Sequence, residues 1–344
     1  MKAKRISAED VGKKAGVSRT TVSFVLNNTP GKSISEDTRQ RVLMAAASLG
    51  YTPNEAARRL AMTRGKSIGL YICHSKSVFS DAFIMRLIEG MTQTVNKKRV
   101  RLVIHQTPLM GSNYLQLAQE DDVSGLILVN THESDYELQR VVKSGFPAVI
   151  MDFHEALTVD QIGTDNKQAA YEMVEYLIGL NHRRIAMITH ARLEFTASRL
   201  RRTGYAEALA AAGIPYDESL VKIGNFTEES GYLRTEELLQ LPELPTAIFA
   251  GNDVVAYGVL SALRDNGVDV PQQISVVGFD DDFLSRYLNP PLTTMVLPAA
   301  GMGAKAVDML LHRMEAGEDQ VELPKTILLP SHLVIRESAA PLNR

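Results

Sequence analysis

From Ser67 onward the chain alternates strand-length apolar runs with amphipathic stretches of helix length. The runs are SIGLYIC, RLVIH, GLILVN, PAVIMD, RIAMITH, TAIFAG and ISVVGF. Strands that are apolar along their whole length are buried on both faces, and parallel neighbours need a crossover helix between them. The pattern therefore predicts two doubly wound parallel-sheet lobes. Asp165 opens a helix over 166–180, which places the change of lobe near 164. The first lobe is expected over 67–163 plus 297–323, and the second over 164–296 plus 324–340. Late strands around 293–297 and 326–336 are expected to cross back between the lobes.

Residues 7–50 have a different texture, with three short helical pieces separated by turn signals. Ser7, Ser18 and Ser35 stand where N-caps are needed, and Gly16 and Gly50 supply stops. Val11, Ala15, Val22, Val25, Leu26, Val42, Leu43, Ala46 and Leu49 would make one minimal three-helix core. Gly12, in mid-helix, weakens it by roughly 1 kcal/mol relative to alanine. A two-turn helix follows over 54–61, too short to be stable alone in water and so expected to fold against a partner. The division is thus 1–50, 51–66 and 67–344.

Charge follows this division. Residues 1–66 carry 13 Lys and Arg against 5 Asp and Glu, a surplus of eight positive charges, although the whole chain sums to -3. A basic head on an acidic body fits a head that seeks a polyanion while the body stays off it. No apolar run reaches the ~20 residues that cross a bilayer. The lysines near the N-terminus are not followed by the apolar stretch of an export signal, so a cytoplasmic location is expected. Cys73, alone in an apolar run, reads as a core residue.

Within DVGKKAGVSRTTVSFVLNN a helix ends at Ala15-Gly16-Val17 and another starts at Ser18, which is helix-turn-helix spacing. In that motif the second helix lies in the major groove of double-stranded DNA. Arg19, Thr20 and Phe24 would then face base edges, Arg19 bidentate to guanine and Phe24 against a thymine methyl. Ser18, Thr21, Ser23 and Asn27 suit phosphates.

Three segments, VSRTTVSFVLN at 17–27, YTPN at 51–54 and ARRL at 57–60, resemble the lactose repressor (LacI/GalR) family. The likeness continues through LNHRRIAMI at 180–188, RLRRTGYAEAL at 199–209, PTAIFAGND at 245–253, ISVVGFDD at 274–281 and LPSHLVIRES at 329–338. It implies an all-α helix-turn-helix head, a hinge helix over 51–66, and an α/β effector-binding and dimerising body of the periplasmic-binding-protein type. It also implies a transcriptional regulator, a repressor by this resemblance, that acts as a homodimer on a palindromic operator. Tyr51 and Asn54 join the DNA-contacting set, Leu60 matches the family's minor-groove wedge, and Ala57 is small enough for two hinge helices to approach. The same resemblance assigns Phe83, Asp152, Arg201, Phe226, Asn252 and Asp280 to an effector cleft between the lobes. The expected effector is a sugar or sugar derivative, with a nucleobase or nucleoside as the alternative. Asp281 and Asp282 read as solvated.

Two departures stand out: HSKSVFSDAF replaces the usual Asn-Pro-Phe-Phe entry, and Gly12 sits where alanine is usual. The first blurs which side chain between Ser77 and Phe83 meets the ligand. The final residues, AAPLNR, contain no heptads to join dimers, so a dimer is expected. Gly301-Met302-Gly303-Ala304-Lys305-Ala306 fits a dinucleotide fingerprint only loosely, and Pro298 places both glycines inside a helix. No cofactor, metal site or catalytic set is expected. A solute-binding receptor without a DNA role would account for the body but not for the basic head.

Overall fold

The computed structural model describes residues 8–26, 34–49, 66–74, 78–108, 111–132, 134–315 and 323–342. Ser7, Gly50, Asn27, Tyr51, Asn54, Ala57 and Leu60 lie outside them. The chain divides into two units, Met1–Gly65 and Lys66–Arg344.

In the first unit, α1 (Ala8–Ala15), α2 (Arg19–Leu26) and α3 (Glu36–Ser48) enclose a small core. Val11, Ala15, Val22, Val25, Val42, Ala45 and Ala46 fill it, with Val17, Ile34 and Leu49 at its margin. Leu43, expected inside, is 42% exposed, and Ala45 takes the inward position instead. The helical period puts residues 42, 45 and 46 on one stripe and carries 43 past it. Ser35 Oγ accepts from Thr38 N at 3.3 Å and caps α3.

The second unit begins β1 (Ser67–Cys73), α4 (Ala82–Lys98), β2 (Arg101–Thr107), α5 (Tyr114–Glu120), β3 (Leu126–Val129), α6 (Tyr136–Ser144), β4 (Ala148–Met151) and β5 (Asp160–Gly163). The other lobe is built from α7 (Asn166–Gly179), β6 (Ile185–Thr189), α8 (Thr196–Ala211), β7 (Val221–Ile223), α9 (Glu228–Leu239), β8 (Ala247–Ala250), α10 (Asp253–Asp265), β9 (Ser275–Asp280) and β10 (Thr293–Val296). The chain then returns through α11 (Ala299–Glu315), β11 (Thr326–Leu328) and β12 (His332–Val334). The two sheets have the orders β11-β5-β4-β3-β1-β2 and β12-β10-β9-β8-β6-β7. Neighbours pair in parallel except β10 with β12.

Side chains alternate across each sheet with the strand period of two. Ile68, Leu70 and Ile72 pack in one cluster with residues of α4 and α11, while Tyr71, Leu126, Leu128 and Ile150 pack on the opposite side with Tyr114 and Leu138. β11 pairs with β5, so residues 326–328 belong to the first sheet, although the sequence division put 324–340 with the second lobe. The crossing lies between Leu328 and His332. β5 and β7 escaped the sequence reading because DQIG and VKI are short and carry polar residues.

Glycines set the approach of three helix pairs. A Cβ on Gly90 would lie 1.8 Å from Ala300 O, one on Gly204 would lie 2.1 Å from Lys167 O, and one on Gly258 would lie 1.8 Å from Glu228 O. Gly301 and Gly303 lie inside α11, and a Cβ on Gly303 would meet Leu87 O at 2.1 Å. That glycine is therefore explained by helix packing rather than by a phosphate turn.

Candidate functional site: the head helices and the interlobe cleft

In the head, Gly16 turns the chain after α1 with φ +69, a conformation that glycine adopts without strain. Val17 N donates to Gly12 O at 3.0 Å. Ser18 Oγ accepts from Thr21 N at 3.1 Å and lies 3.0 Å from Thr21 Oγ1, which is an N-cap at the start of α2. Arg41 reaches back from α3 to Ala15 O at 3.3 Å, tying the end of α1. Arg19, Thr20 and Ser23 lie on α2. Val22 and Val25 are buried, while Thr21 and Phe24 are half-buried.

In the body, all six residues expected in a cleft, Phe83, Asp152, Arg201, Phe226, Asn252 and Asp280, line one cavity of about 60 Å³. All but Arg201, which projects from the second turn of α8, lie at or just beyond the C-terminal end of a strand or in the first turn of a helix, where open α/β sheets place their ligands. The sequence reading missed Asp81, Asn130, Thr164, Asn166 and His190, which share the same wall.

Arg201 is 5% exposed. Its Nε donates to Asn166 Oδ1 at 2.8 Å, Nη1 donates to the Gly251 carbonyl, and Nη2 stands 3.8 Å from Asp280 Oδ1. The guanidinium carbon sits 3.8 Å from the centroid of the Phe279 ring. Burial works against its charge, and Asp280 and Asp152 favour it. Burial in turn raises the Asp280 carboxyl well above the usual carboxylate range, with Arg201 pulling the other way.

Asp152 follows β4 in the first lobe, and burial pushes its carboxyl up to about 7. It accepts from Phe153 N at 2.9 Å, and the backbone N–H of Ala197 favours its charged form. Ala197 is in the first turn of α8, whose N-cap, Phe195, supplies no side-chain bond. A carboxyl group from one lobe thus faces the N-terminus of a helix of the other, an arrangement the helix dipole favours.

Asn252 caps α10 by accepting from Val255 N at 2.9 Å, so its carbonyl oxygen is committed, and the residue lines the cavity. Asp81 caps α4 in the same way, accepting from Ile84 N at 3.0 Å, and holds His74 Nε2 at 3.3 Å. Phe226 is enclosed by rings: His74 at 4.9 Å, Phe195 at 5.2 Å and His190 at 5.6 Å. It walls the cleft rather than standing as a bare stacking plate.

Asn130 (φ 55), Phe226 (φ 61) and Asp280 (φ 118) all hold the left side of backbone space. Asn and Asp tolerate that conformation, but a phenylalanine adopts it only where the surroundings compel it, and such strain collects at functional sites. Cys73 is buried beside Phe195, Phe226 and Ala191, and burial pushes its thiol up to about 12.

Asp281 and Asp282, expected in solvent, are buried. Asp281 binds Arg336 at 2.6 Å. Asp282 N donates to Asp253 Oδ2 at 2.8 Å, and Asp253 also accepts from Ser285 and Thr294, each at 2.6 Å. This acidic cluster brings loop 281–285 and β10 onto the start of α10.

Residues 7–54 match the family described as bacterial regulatory proteins, lacI family, and residues 174–339 match a periplasmic binding protein-like domain. The HTH-type transcriptional repressor PurR of Actinobacillus pleuropneumoniae serotype 3 (strain JL03) is 33% identical over 340 residues, 98% of this chain and 99% of the relative. The chain belongs to the lacI family.

The PurR repressor of Vibrio campbellii is 31% identical, covering 97% of this chain and 99% of its own. Among solved structures, the Lac repressor dimer bound to operator and the anti-inducer ONPF is similar with TM-score 0.79 and 28% identity, over 98% of this chain and 100% of that one. A transcriptional regulator CelR–cellobiose complex is similar with TM-score 0.72 and 30% identity, over 97% and 100%. This lacI-family protein is therefore a DNA-binding, effector-controlled transcriptional repressor with a helix-turn-helix head and two α/β lobes. Among the described residues, no helix is long and apolar enough to cross a membrane, and no group of three or more His, Cys, Asp or Glu could hold a metal ion.

Proposed function

We propose that this repressor is a cytoplasmic homodimer switched by a small neutral sugar held in the interlobe cleft. The observation that carries the effector class is the charge of the cavity wall, where Asp81, Asp152 and Asp280 face a single guanidinium, that of Arg201. Such a wall has no positive surplus to draw in a phosphate or carboxylate. It has instead the mixture of acceptors and donors that pairs of hydroxyls require. Two similar regulators are seen with a carbohydrate, CelR in complex with cellobiose and a LacI family regulator of Enterococcus faecium with bound ribose.

A nucleobase is the second reading, favoured by the relatives named PurR and by the cluster of Phe226, His74 and His190 rings beside the cavity. A cavity of about 60 Å³ has room for a few waters, so either ligand enters by the lobes parting. Asp152, which faces the start of α8 across the lobes, is a group that such a motion would release.

On the DNA side, Arg19, Thr20 and Phe24 are proposed to read base edges, and Ser18, Thr21, Ser23 and Asn27 to grip phosphates. Tyr51, Asn54, Ala57 and Leu60 would complete the contact through the hinge. For the dimer, Phe79, Met85, Phe283 and Leu284 offer an exposed apolar face flanking one groove, larger than scattered surface residues need.

Thermal unfolding of the full chain, with neutral mono- and disaccharides, sugar phosphates and purines in parallel, tests the effector class. Ligand at 100 times its Kd adds about 2.7 kcal/mol. A neutral sugar that raises the midpoint while its phosphate does not is the expected result. A shift only with sugar phosphates or purines would sink the neutral-sugar reading.

A further inference from the structure

Two buried polar atoms of the cleft have no hydrogen-bond partner among the described residues: Nδ1 of His190 and Oγ1 of Thr164. Their residues are 7% and 3% exposed, and both line the cavity. His190 follows β6 in one lobe and Thr164 follows β5 in the other. Leaving such an atom unpaired costs about 1–3 kcal/mol, and folded proteins hold few of them.

The neighbouring polar groups are already engaged. Asp81 caps α4 and holds His74, the Asn252 oxygen caps α10, and Arg201 serves Asn166 and Gly251. Phe226 packs against the His190 ring edge-on at 5.6 Å and so fixes the plane in which Nδ1 lies. Burial, aided by Arg201, keeps the imidazole neutral. A neutral imidazole offers one donor and one acceptor nitrogen, and a threonine hydroxyl both gives and accepts. Both atoms therefore suit a hydroxyl, which does the same, better than an ion.

We propose that His190 Nδ1 and Thr164 Oγ1 are specificity-determining contacts for the effector, one in each lobe, each pairing with a hydroxyl of the bound sugar. The proposal rests on the neutral-sugar reading and adds to it the two positions that select among sugars. Because the pair spans the lobes, a ligand that satisfies both atoms holds the cleft shut, while one lacking either hydroxyl leaves an unpaired group behind.

Full-length His190→Leu and Thr164→Val would be compared with wild type by thermal unfolding, alone and titrated with glucose, galactose, ribose, maltose and cellobiose. Without sugar, each variant is expected to unfold at the wild-type midpoint or above it, because an unpaired polar atom has been replaced by an apolar one. With the sugar that shifts wild type, each is expected to bind about three- to tenfold more weakly, the loss of one hydrogen bond of ordinary strength. A lower midpoint without sugar in both variants would show that the two groups serve the fold, and would overturn the proposal. A sugar that shifts wild type and both variants alike would overturn it too, leaving the neutral-sugar reading intact. If none of the five sugars shifts wild type and a purine does, reading and proposal fall together.

Discussion

The Arg201 guanidinium lies 3.8 Å over the Phe279 ring while its Nε donates to Asn166 Oδ1 at 2.8 Å. Stacking and a directed bond together fix the plane of the fork, and with it the direction in which Nη2 points. Lysine can supply the charge but neither the plane nor a fork of donors on separate nitrogens. Arg201→Lys is therefore expected to keep the fold and lose at least about tenfold in effector affinity. Effector titration followed by thermal shift checks this, and unaltered affinity would mean that the arginine is purely structural.

The Asp152 carboxyl titrates near 7 in the folded protein, against about 3.9 when exposed in the unfolded chain. Between those values the folded state binds the proton and the unfolded state does not. The stability that this proton confers is fully present below pH 4 and is lost as pH rises through 7. Asp152→Asn, which keeps an acceptor for Ala197 N–H, should unfold at a higher temperature than wild type at pH 8. The gap should shrink by pH 5. Parallel melting curves at the two pH values decide it, and a constant gap would refute the assignment.

Asp253 is fully enclosed and receives three hydrogen bonds, from Ser285, Thr294 and Asp282 N. Asp253→Ala would leave three buried donors without an acceptor. The expected loss is about 3–5 kcal/mol, read as a lower urea midpoint with an unchanged slope. Asp253→Asn should cost less.

Two glycines of α11 should respond with opposite sign. A Cβ on Gly301 would meet nothing nearer than 3.9 Å, whereas one on Gly303 would overlap Leu87 O at 2.1 Å. Gly301→Ala is expected to stabilise by about 0.5–1 kcal/mol. Gly303→Ala should destabilise by about 1–3 kcal/mol or more, because α4 and α11 must separate. Urea denaturation of the two variants would distinguish packing from any common role of the two glycines.

In the head, Arg19→Ala should relax preference at one base position by roughly 1–3 kcal/mol. Loss of a phosphate contact would instead weaken every sequence alike. Selection of bound sequences from a random DNA pool at fixed salt separates these outcomes.

The architecture was legible in the sequence because seven apolar runs and their helical spacers announce parallel sheets without any long-range information. The cleft was half legible. Arg201, Asn252 and Asp280 sit in recognisable motifs, but Thr164, Asn166 and His190 sit in short polar junctions after strands, whose direction only the fold reveals. Asp281 and Asp282 were misjudged for the same reason: adjacent acids are usually solvated, and the cation that draws Asp281 inward, Arg336, lies 55 residues along the chain. The positive φ of Phe226 leaves no mark on residue type, because Asn and Asp, not phenylalanine, favour that region among non-glycine residues. Nor could strand length reveal that β11 and β12, four residues apart, belong to different sheets.

That last separation has a genetic consequence. β11 forms one outer edge of the first sheet and β12 one outer edge of the second, and Ser338, just beyond, is buried, with its hydroxyl donating to Val276 O at 2.6 Å. A stop codon a score of residues before the end would strip a border strand from both halves of the body at once and expose two unpaired edges to neighbouring chains. Late frameshifts, which many proteins tolerate as a ragged tail, should here behave as null alleles with an aggregating product.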